Sequence, residues 1–213
     1  MVHEKNRVVG GTALSDASYA LVLVHGRGGS AQDILTLAGH FHIPGFACIA
    51  PQATGNTWYP YSFMAPVAQN EPALSSAIRV MEEVVEEIKA AGIPNENIFF
   101  AGFSQGACLT LEFIARQAAR YGGVAAFTGG LIGAHIDRAG YQGRFGGMPV
   151  FIGSADPDPH VPAERVMATA AILEKMGADV HVKIYPGMGH TISADEIREV
   201  NEKIFAVTGN EKK

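Results

Sequence analysis

A short apolar segment leads into a serine between two glycines in the stretch Asn97-Ile98-Phe99-Phe100-Ala101-Gly102-Phe103-Ser104-Gln105-Gly106. Residues 107–115 then favour a helix. A strand, a sharp turn and a helix in this order distinguish a nucleophile elbow from a chance G-x-S-x-G pattern. In such an elbow the Ser104 hydroxyl projects into open space, and the backbone N–H of Gln105 faces the same space. A turn with a purely structural role has the same pattern, so the rest of the sequence must decide.

The composition is that of an ordinary globular protein. The chain has 213 residues, 47% of them hydrophobic and 17% charged, and we expect a single domain over residues 1–213. The net charge of −5 gives no electrostatic reason to expect nucleic acid or an anionic membrane surface as a partner. Residues 1–5 lead into no apolar segment, and no apolar run approaches the about 18 residues of a membrane span. We therefore expect a cytoplasmic protein.

Short apolar runs alternate with longer helical patterns along the chain. Continuous apolar runs are typical of strands buried on both faces of a sheet. Their alternation with helices predicts an α/β fold with a mostly parallel sheet and helices on both faces. The predicted strands are Tyr19–Val24, Phe46–Ala50, Asn97–Ala101, Val124–Phe127, Pro149–Ile152 and Val180–Tyr185. The predicted helices are Ala31–His42, Pro72–Ala91, Gln105–Tyr121, Pro162–Met176 and Ala194–Ala206.

Two segments between these elements are irregular. Pro51–Glu71 is long for a loop in a compact domain, and loops of this length are often functional. Thr128–Met148 is rich in glycine and leaves no room for a separate cap domain. We therefore predict an open site without a cap.

A serine needs a base to become a nucleophile near neutral pH, and that base is usually a histidine. His190 is the best candidate, because it follows the last predicted strand in a loop with Pro186, Gly187 and Gly189. His160 is the one serious rival, since it lies close to candidate acids. It is too close in sequence to pair with them easily, and it follows the penultimate strand.

The histidine in turn needs an acid that fixes its tautomer. The segment after Ile152 offers two, Asp156 and Asp158. Asp156 follows Gly153 by three residues, whereas Asp158 stands directly before the next helix. Asp-Pro is also a strong turn signal, so at least one of them has only a structural role. With either acid, the chain order of serine, acid and histidine is that of the α/β-hydrolase fold.

The tetrahedral intermediate of acyl transfer carries a negative oxygen that needs fixed donors. The N–H of Gln105 is one candidate. The turn after the first predicted strand, His25-Gly26-Arg27-Gly28-Gly29, is placed to supply the second, and we assign it to the N–H of Arg27. A phosphate-binding glycine loop is the rival interpretation, but the Walker lysine is missing.

Neither cysteine has the surroundings of a catalytic residue. Cys48 lies in a predicted strand and Cys108 in a predicted helix, and both resemble small buried hydrophobic residues. A disulfide between them is not expected in a chain without a signal peptide.

Taken together, these segments resemble the phospholipase/carboxylesterase family of small serine hydrolases, which includes the acyl-protein thioesterases. The resemblance implies a lidless esterase or thioesterase with a Ser–Asp–His triad, no metal and no cofactor. The family's Asp-Pro-x-Val-Pro pattern falls on Asp158, so we assign the acid to Asp158 and keep Asp156 as the fallback. The resemblance rests on residues 25–29, on Pro51-Gln52 with Trp58-Tyr59, on residues 102–106, on residues 158–162 and on residues 187–190.

The chain departs from the family at Arg27, where an apolar residue is common. Its guanidinium is either a ligand for an acidic substrate group or a solvated surface charge.

Aromatic residues of the long loop are either pocket walls or core beneath the loop. The pocket candidates are Trp58, Tyr59 and Phe63, with Met188 beside His190.

The expected function is that of a serine carboxylesterase acting on small to medium esters through an acyl-enzyme. An acyl-protein thioesterase or a lysophospholipase is the alternative, and a binding module that has lost turnover is a third hypothesis. A small-molecule ester is the expected partner, and the protein is expected to be a monomer or a homodimer. Similarity to dienelactone hydrolases is weaker, because Ser104 stands where those enzymes have a cysteine.

Overall fold

The strands of this protein form one seven-stranded sheet in a computed structural model that describes residues 2–206. The strand order is β1-β3-β2-β4-β5-β6-β7. β1 pairs with β3 in the antiparallel sense, and all other neighbours are parallel. The strands are β1 (Arg7–Gly11), β2 (Tyr19–Val24), β3 (Phe46–Pro51), β4 (Ile98–Phe103), β5 (Gly123–Phe127), β6 (Pro149–Asp156) and β7 (Asp179–Pro186).

Six α-helices lie between or after these strands within residues 2–206. They are α1 (Ala31–Leu35), α2 (Val67–Asn70), α3 (Ala73–Ala90), α4 (Gln105–Arg116), α5 (Ala163–Lys175) and α6 (Ala194–Lys203). Short 3-10 turns lie at Thr36–His40, Thr54–Asn56, Asn95–Asn97 and Arg138–Gly140. No helix in this part of the chain combines the length and the apolar character that crossing a membrane requires.

The core lies on both faces of the sheet, because the central strands are apolar on both sides. Every residue of β3 and β5 is buried. Side chains of α3, α4 and α5 pack on one face, and side chains of α1 and α6 pack on the other. The predicted α/β class, with a mostly parallel sheet covered on both faces, is confirmed.

The structure differs from the predicted elements mainly at their ends. β1 was not predicted; its residues alternate between exposed and half-buried, and the strand exists because it pairs with β3 at the sheet edge. β6 continues four residues beyond the predicted end at Ile152, because it stays paired with β7 as far as Asp156. The predicted helix Ala31–His42 divides into α1 and a 3-10 turn.

The carboxyl ends of the parallel strands β2, β4, β6 and β7 all point to the same end of the sheet. The loops that leave these four ends carry all of the candidate catalytic residues. Parallel pairing therefore brings together residues that are distant in sequence, as is usual for ligand sites in open α/β sheets.

Candidate active site

Ser104 stands in a strained turn between β4 and α4. Its backbone φ of 54° and ψ of −118° lie in a region that residues with a side chain rarely adopt. The glycines on either side permit this turn. A Cβ atom on Gly102 would lie 2.6 Å from the carbonyl oxygen of Gly106, and one on Gly106 would lie 2.1 Å from that of Val24. The serine is therefore held at the tip of a tight strand-to-helix turn.

His190 reaches Ser104 from the loop after β7. This loop turns through Gly187 and Gly189, whose φ angles are 69° and 81°. The Nε2 atom of His190 lies 2.8 Å from Oγ of Ser104. The imidazole also contacts the rings of Phe103 and His160, at centroid distances of 5.2 and 5.0 Å. His190 is thus oriented by packing as well as by hydrogen bonds, and the rival base His160 contacts its ring.

Asp158 lies on the other side of the imidazole. Its Oδ2 atom is 2.8 Å from Nδ1 of His190, and its Oδ1 atom accepts the backbone N–H groups of His160 and Val161 at 2.8 and 2.9 Å. The side chain is 0% exposed. Burial alone would raise the pKa of Asp158, but the hydrogen bonds from His190 and the two N–H groups outweigh it and hold the pKa below its usual value.

These contacts favour one protonation pattern for the three residues. A carboxylate only accepts hydrogen bonds, so the ionised Asp158 accepts the N–H of Nδ1 of His190. Nε2 of His190 is then free to accept the hydroxyl proton of Ser104. Asp156, the fallback acid, is the exposed last residue of β6 and lies outside this chain of hydrogen bonds.

The turn after β2 approaches the serine from the side of the adjacent strand. A Cβ atom on Gly26 would lie only 3.4 Å from Cβ of Ser104. Within the described residues, the backbone N–H groups of Arg27 and Gln105 have no hydrogen-bond acceptor. The N–H of Gln105 also opens helix α4, whose N-terminus favours negative charge. Both groups are therefore available to an oxyanion beside Ser104.

His25 supports this turn from beneath. Its Nδ1 donates to the carbonyl of Gly26 at 2.7 Å, and its Nε2 accepts the N–H of Ala53 at 3.1 Å. Burial lowers the pKa of His25, since the interior disfavours the charged imidazolium. A neutral His25 holds the turn to the loop that follows β3.

The side chain of Gln105 has a role that sequence reasoning missed, because only its backbone N–H was considered. Its Oε1 accepts the N–H of Trp58 at 2.9 Å, and its Nε2 donates to the carbonyl of Tyr59 at 2.8 Å. The residue after the nucleophile therefore also fixes the loop beside the site. A glutamine side chain can satisfy one N–H and one carbonyl together, but its position beside Trp58 and Tyr59 depends on the fold.

A cavity of about 640 Å³ opens at Ser104. Of the four pocket candidates, Tyr59 and Phe63 line this cavity, whereas Trp58 and Met188 are absent from its lining. Trp58 is 0% exposed and packs against His3 and His25, and its Nε1 donates to the carbonyl of His25. The prediction that Trp58 walls the pocket is therefore wrong, because this indole belongs to the core beneath the loop. The other lining residues are Gly26, Arg27, Pro60, Tyr61, Ser62, Phe103, Ser104, Gln105, Cys108, Pro159, His160, Val161 and His190.

Cys108 and His160 were not predicted as lining residues. Cys108 is buried, and burial raises the pKa of its thiol to about 12, so it contributes an uncharged surface to the cavity. Within residues 2–206, no group of three or more His, Cys, Asp or Glu side chains is arranged to hold a metal ion.

The fold and the site define the class of protein. A mostly parallel sheet with the serine after β4, the acid after β6 and the histidine after β7 is the arrangement of the α/β-hydrolase fold. The chain belongs to the phospholipase/carboxylesterase family of this fold, whose model matches residues 12–208.

Several solved structures and curated proteins that resemble this chain have names consistent with this family. The crystal structure of a phospholipase/carboxylesterase from Dyadobacter fermentans is 54% identical, with a TM-score of 0.95 over 96% of this chain and 98% of that one. A probable carboxylesterase from Oryza sativa subsp. japonica is 33% identical over 61% of this chain. Acyl-protein thioesterase 1 from Eremothecium gossypii is 28% identical over 83% of each chain. The chain spans about half the length of several curated relatives that it matches, 48% in the case of the rice protein.

Proposed function

We propose that this protein is a serine carboxylesterase that hydrolyses small to medium carboxylic esters through an acyl-enzyme. The observation that carries the proposal is the continuous line of hydrogen bonds from Asp158 through His190 to Ser104, with both contacts at 2.8 Å. Membership of the phospholipase/carboxylesterase family supports the same chemistry.

In the acylation step, Oγ of Ser104 attacks the ester carbonyl while its proton passes to Nε2 of His190. The buried carboxylate of Asp158 stabilises the imidazolium that forms. The N–H groups of Arg27 and Gln105 bind the oxyanion. When the tetrahedral intermediate collapses, the C–O bond to the alcohol breaks and the alcohol leaves with the proton from His190.

In the deacylation step, a water molecule takes the place of the alcohol. Nε2 of His190 removes a proton from this water, and the resulting hydroxide attacks the acyl carbonyl. Collapse of the second intermediate breaks the bond to Ser104, which regains its proton from His190. The carboxylic acid is then released into the open cavity.

The cavity supports a preference for small and medium substrates. Its volume of about 640 Å³ is in the usual range of small-molecule sites. Phe63 and Phe103 give it apolar surface for an acyl or aryl group, and Ser62 and His160 give it polar surface. Tyr61, another lining residue, is 57% exposed, which places part of the cavity wall at the protein surface.

Replacement of the nucleophile tests the proposal directly. Ser104→Ala should keep the thermal unfolding midpoint of the parent protein and abolish hydrolysis of p-nitrophenyl acetate. Ser15→Ala is a matched control, because Ser15 is exposed and, among the residues that the structure describes, its hydroxyl hydrogen-bonds only to the neighbouring Asp16. A fluorophosphonate should label the parent and the Ser15 variant but not the Ser104 variant. Undiminished turnover by Ser104→Ala, or an unlabelled parent, would refute the assignment.

Thioester cleavage is the second candidate, favoured by the similarity to the acyl-protein thioesterase from Eremothecium gossypii. Lysophospholipid hydrolysis is a variant of the same chemistry. Matched esters and thioesters of the same acyl chain, from acetyl to palmitoyl, separate these activities by their kcat/KM values. A preference for long-chain thioesters would favour the second candidate. A non-catalytic binding scaffold, the third hypothesis, would turn over none of them and would not react with the fluorophosphonate.

The expected cytoplasmic location, the single domain over residues 1–213 and the monomeric or homodimeric state stay predictions. Residues 1 and 207–213 of that domain lie outside the described residues. Size-exclusion chromatography with light scattering measures the oligomeric state.

A further inference from the structure

The cavity beside Ser104 has an excess of positive charge, although the chain has a net charge of −5. Among its lining residues, Arg27 carries a permanent positive charge. No carboxylate belongs to the described lining, since Asp158 is fully buried behind His190. An anionic group entering the cavity therefore meets Arg27 without a competing carboxylate in the described lining.

The guanidinium of Arg27 is fixed in place but has no counter-ion. Its Nη1 donates to Oγ1 of Thr57 and to the carbonyl of Pro60 at 2.9 and 3.0 Å, and its Nη2 donates to the carbonyl of Tyr61 at 2.8 Å. All three acceptors are neutral. Within the described part of the chain, no carboxylate forms a salt bridge with Arg27.

Two hydrogen-bond donors of Arg27 remain unused. A guanidinium has five N–H donors, of which the loop takes three. The remaining donors are the N–H of Nε and one N–H of Nη2, two nitrogens on the same carbon. A carboxylate is able to bridge such a pair with its two oxygens. Because the loop already holds the guanidinium, binding of a carboxylate there would cost little side-chain entropy.

We propose that Arg27 binds a carboxylate of the substrate, so that the preferred substrates are esters with a free carboxylate near the scissile bond. This inference rests on the proposed esterase function and adds the class of substrate. The backbone N–H of Arg27 serves the oxyanion and its side chain the distal carboxylate. Arg27 thereby positions the reacting carbonyl through its backbone and determines the substrate preference through its side chain.

Arg27 also holds the loop over residues 57–61, and this structural role alone has a different consequence. A loosened loop affects charged and neutral esters alike. A lost carboxylate contact affects only the charged esters. The decisive quantity is therefore the ratio of kcat/KM for a carboxylate ester to kcat/KM for a neutral ester of the same shape.

Matched pairs of esters measure this ratio. Monomethyl succinate, glutarate and adipate pair with methyl butanoate, pentanoate and hexanoate, and 3-acetoxypropanoate pairs with propyl acetate. The first series carries the carboxylate on the acyl side and the last pair on the alcohol side. For the parent protein, the ratio should be about tenfold or more in at least one pair. A ratio near one in every pair would overturn the inference while leaving the esterase function intact.

Variants assign the preference to Arg27. Arg27→Met should lower the ratio of the preferred pair by about tenfold, whatever it does to the neutral ester. Thr57→Val is the control, because it removes one bond between Arg27 and the loop and keeps the guanidinium; its ratio should stay closer to that of the parent than to that of Arg27→Met. An unchanged ratio in Arg27→Met would show that the side chain only holds the loop.

A binding measurement is independent of turnover. Ser104→Ala protein is titrated with the half-ester of the preferred pair, or with monomethyl adipate if the parent hydrolyses no ester. Calorimetry should detect binding, and the double variant with Arg27→Met should bind about tenfold more weakly. Equal binding by the two proteins would contradict the inference. Strong binding without any ester hydrolysis would instead refute the proposed function alone.

Discussion

The Oδ2 atom of Asp158 lies 2.8 Å from Nδ1 of His190, while Oδ1 of the same carboxylate is occupied by two backbone N–H groups. The backbone of its own loop therefore orients the Asp158 carboxylate independently of His190. Asp156 has no such support, because it ends β6 with an exposed side chain. The two aspartates are separated by a single residue, yet only one of them is placed to orient an imidazole.

Replacing each aspartate by asparagine separates their roles. Asp158→Asn should lower kcat for p-nitrophenyl acetate by about 10⁴, because the amide no longer fixes the reactive tautomer of His190. Asp156→Asn should stay within about twofold of the parent, since its side chain is exposed. Steady-state kinetics at saturating substrate test both. The opposite pattern would assign the acid to Asp156.

The acid also predicts a pH dependence of stability. The pKa of Asp158 in the folded protein is below its usual value, so the unfolded chain binds more protons over the interval between the two. The ionised carboxylate therefore stabilises the fold above about pH 4, and this contribution is lost as the pH falls through the folded pKa. Urea unfolding of the parent and Asp158→Asn should differ most above about pH 4, with a gap that narrows as the pH falls below this. A gap independent of pH would contradict this account.

The choice between these aspartates shows where sequence reasoning reaches its limit. The offset from Gly153 favoured Asp156, whereas the family pattern favoured Asp158, and the structure brings Asp158 to His190. The deciding fact is that β6 continues to Asp156 through pairing with β7. Pairing between distant segments is not encoded in the local sequence. The end of β6 and the first residue of the following loop therefore could not be predicted from it.

The predicted parts of the fold are those with a strong local pattern. β2 was predicted over the observed residues, and α3 differs from its prediction by one residue at each end, because a continuous apolar run and an amphipathic period respectively define them. β1 has no such pattern in Arg7–Gly11 and depends on its partner strand. The burial of Trp58 likewise depends on contacts with His3 and His25 from other parts of the chain.

The close packing around the glycines of the elbow predicts that larger residues there destabilise the fold. Gly106→Ala would place a Cβ atom 2.1 Å from the carbonyl oxygen of Val24, a backbone atom that cannot move without disturbing the sheet. We expect this variant to lose about 3 kcal/mol of unfolding free energy or more. Gly39→Ala is the control, because no atom lies within 4 Å of its Cβ position, and it should change stability by less than about 0.5 kcal/mol. Equal effects of the two variants in urea unfolding would argue against the close contact.

The side chain of Gln105 makes a prediction on both stability and substrate binding. Gln105→Ala leaves the buried N–H of Trp58 and the buried carbonyl of Tyr59 without their partner, at a cost of roughly 2–4 kcal/mol. The backbone N–H that faces the oxyanion is kept, so KM should rise more than kcat falls as the cavity wall loosens. Gln69→Ala is the control, since Gln69 is exposed and its side chain makes no hydrogen bond within the described residues. A fall in kcat with unchanged KM would show that Gln105 acts on the reacting atoms instead.

The two thiols should be inert in the folded protein. Cys48 and Cys108 are buried, and burial raises their pKa values to about 11 and about 12, so the reactive thiolate is less than about 10⁻² of either at pH 8. Ellman's reagent should therefore detect no rapidly reacting thiol before unfolding and two in guanidinium chloride. Iodoacetamide should also leave esterase activity intact, although Cys108 lines the cavity. Fast labelling of one thiol with loss of activity would mean that Cys108 is accessible from the cavity, and Cys108→Ala would then restore resistance to the reagent.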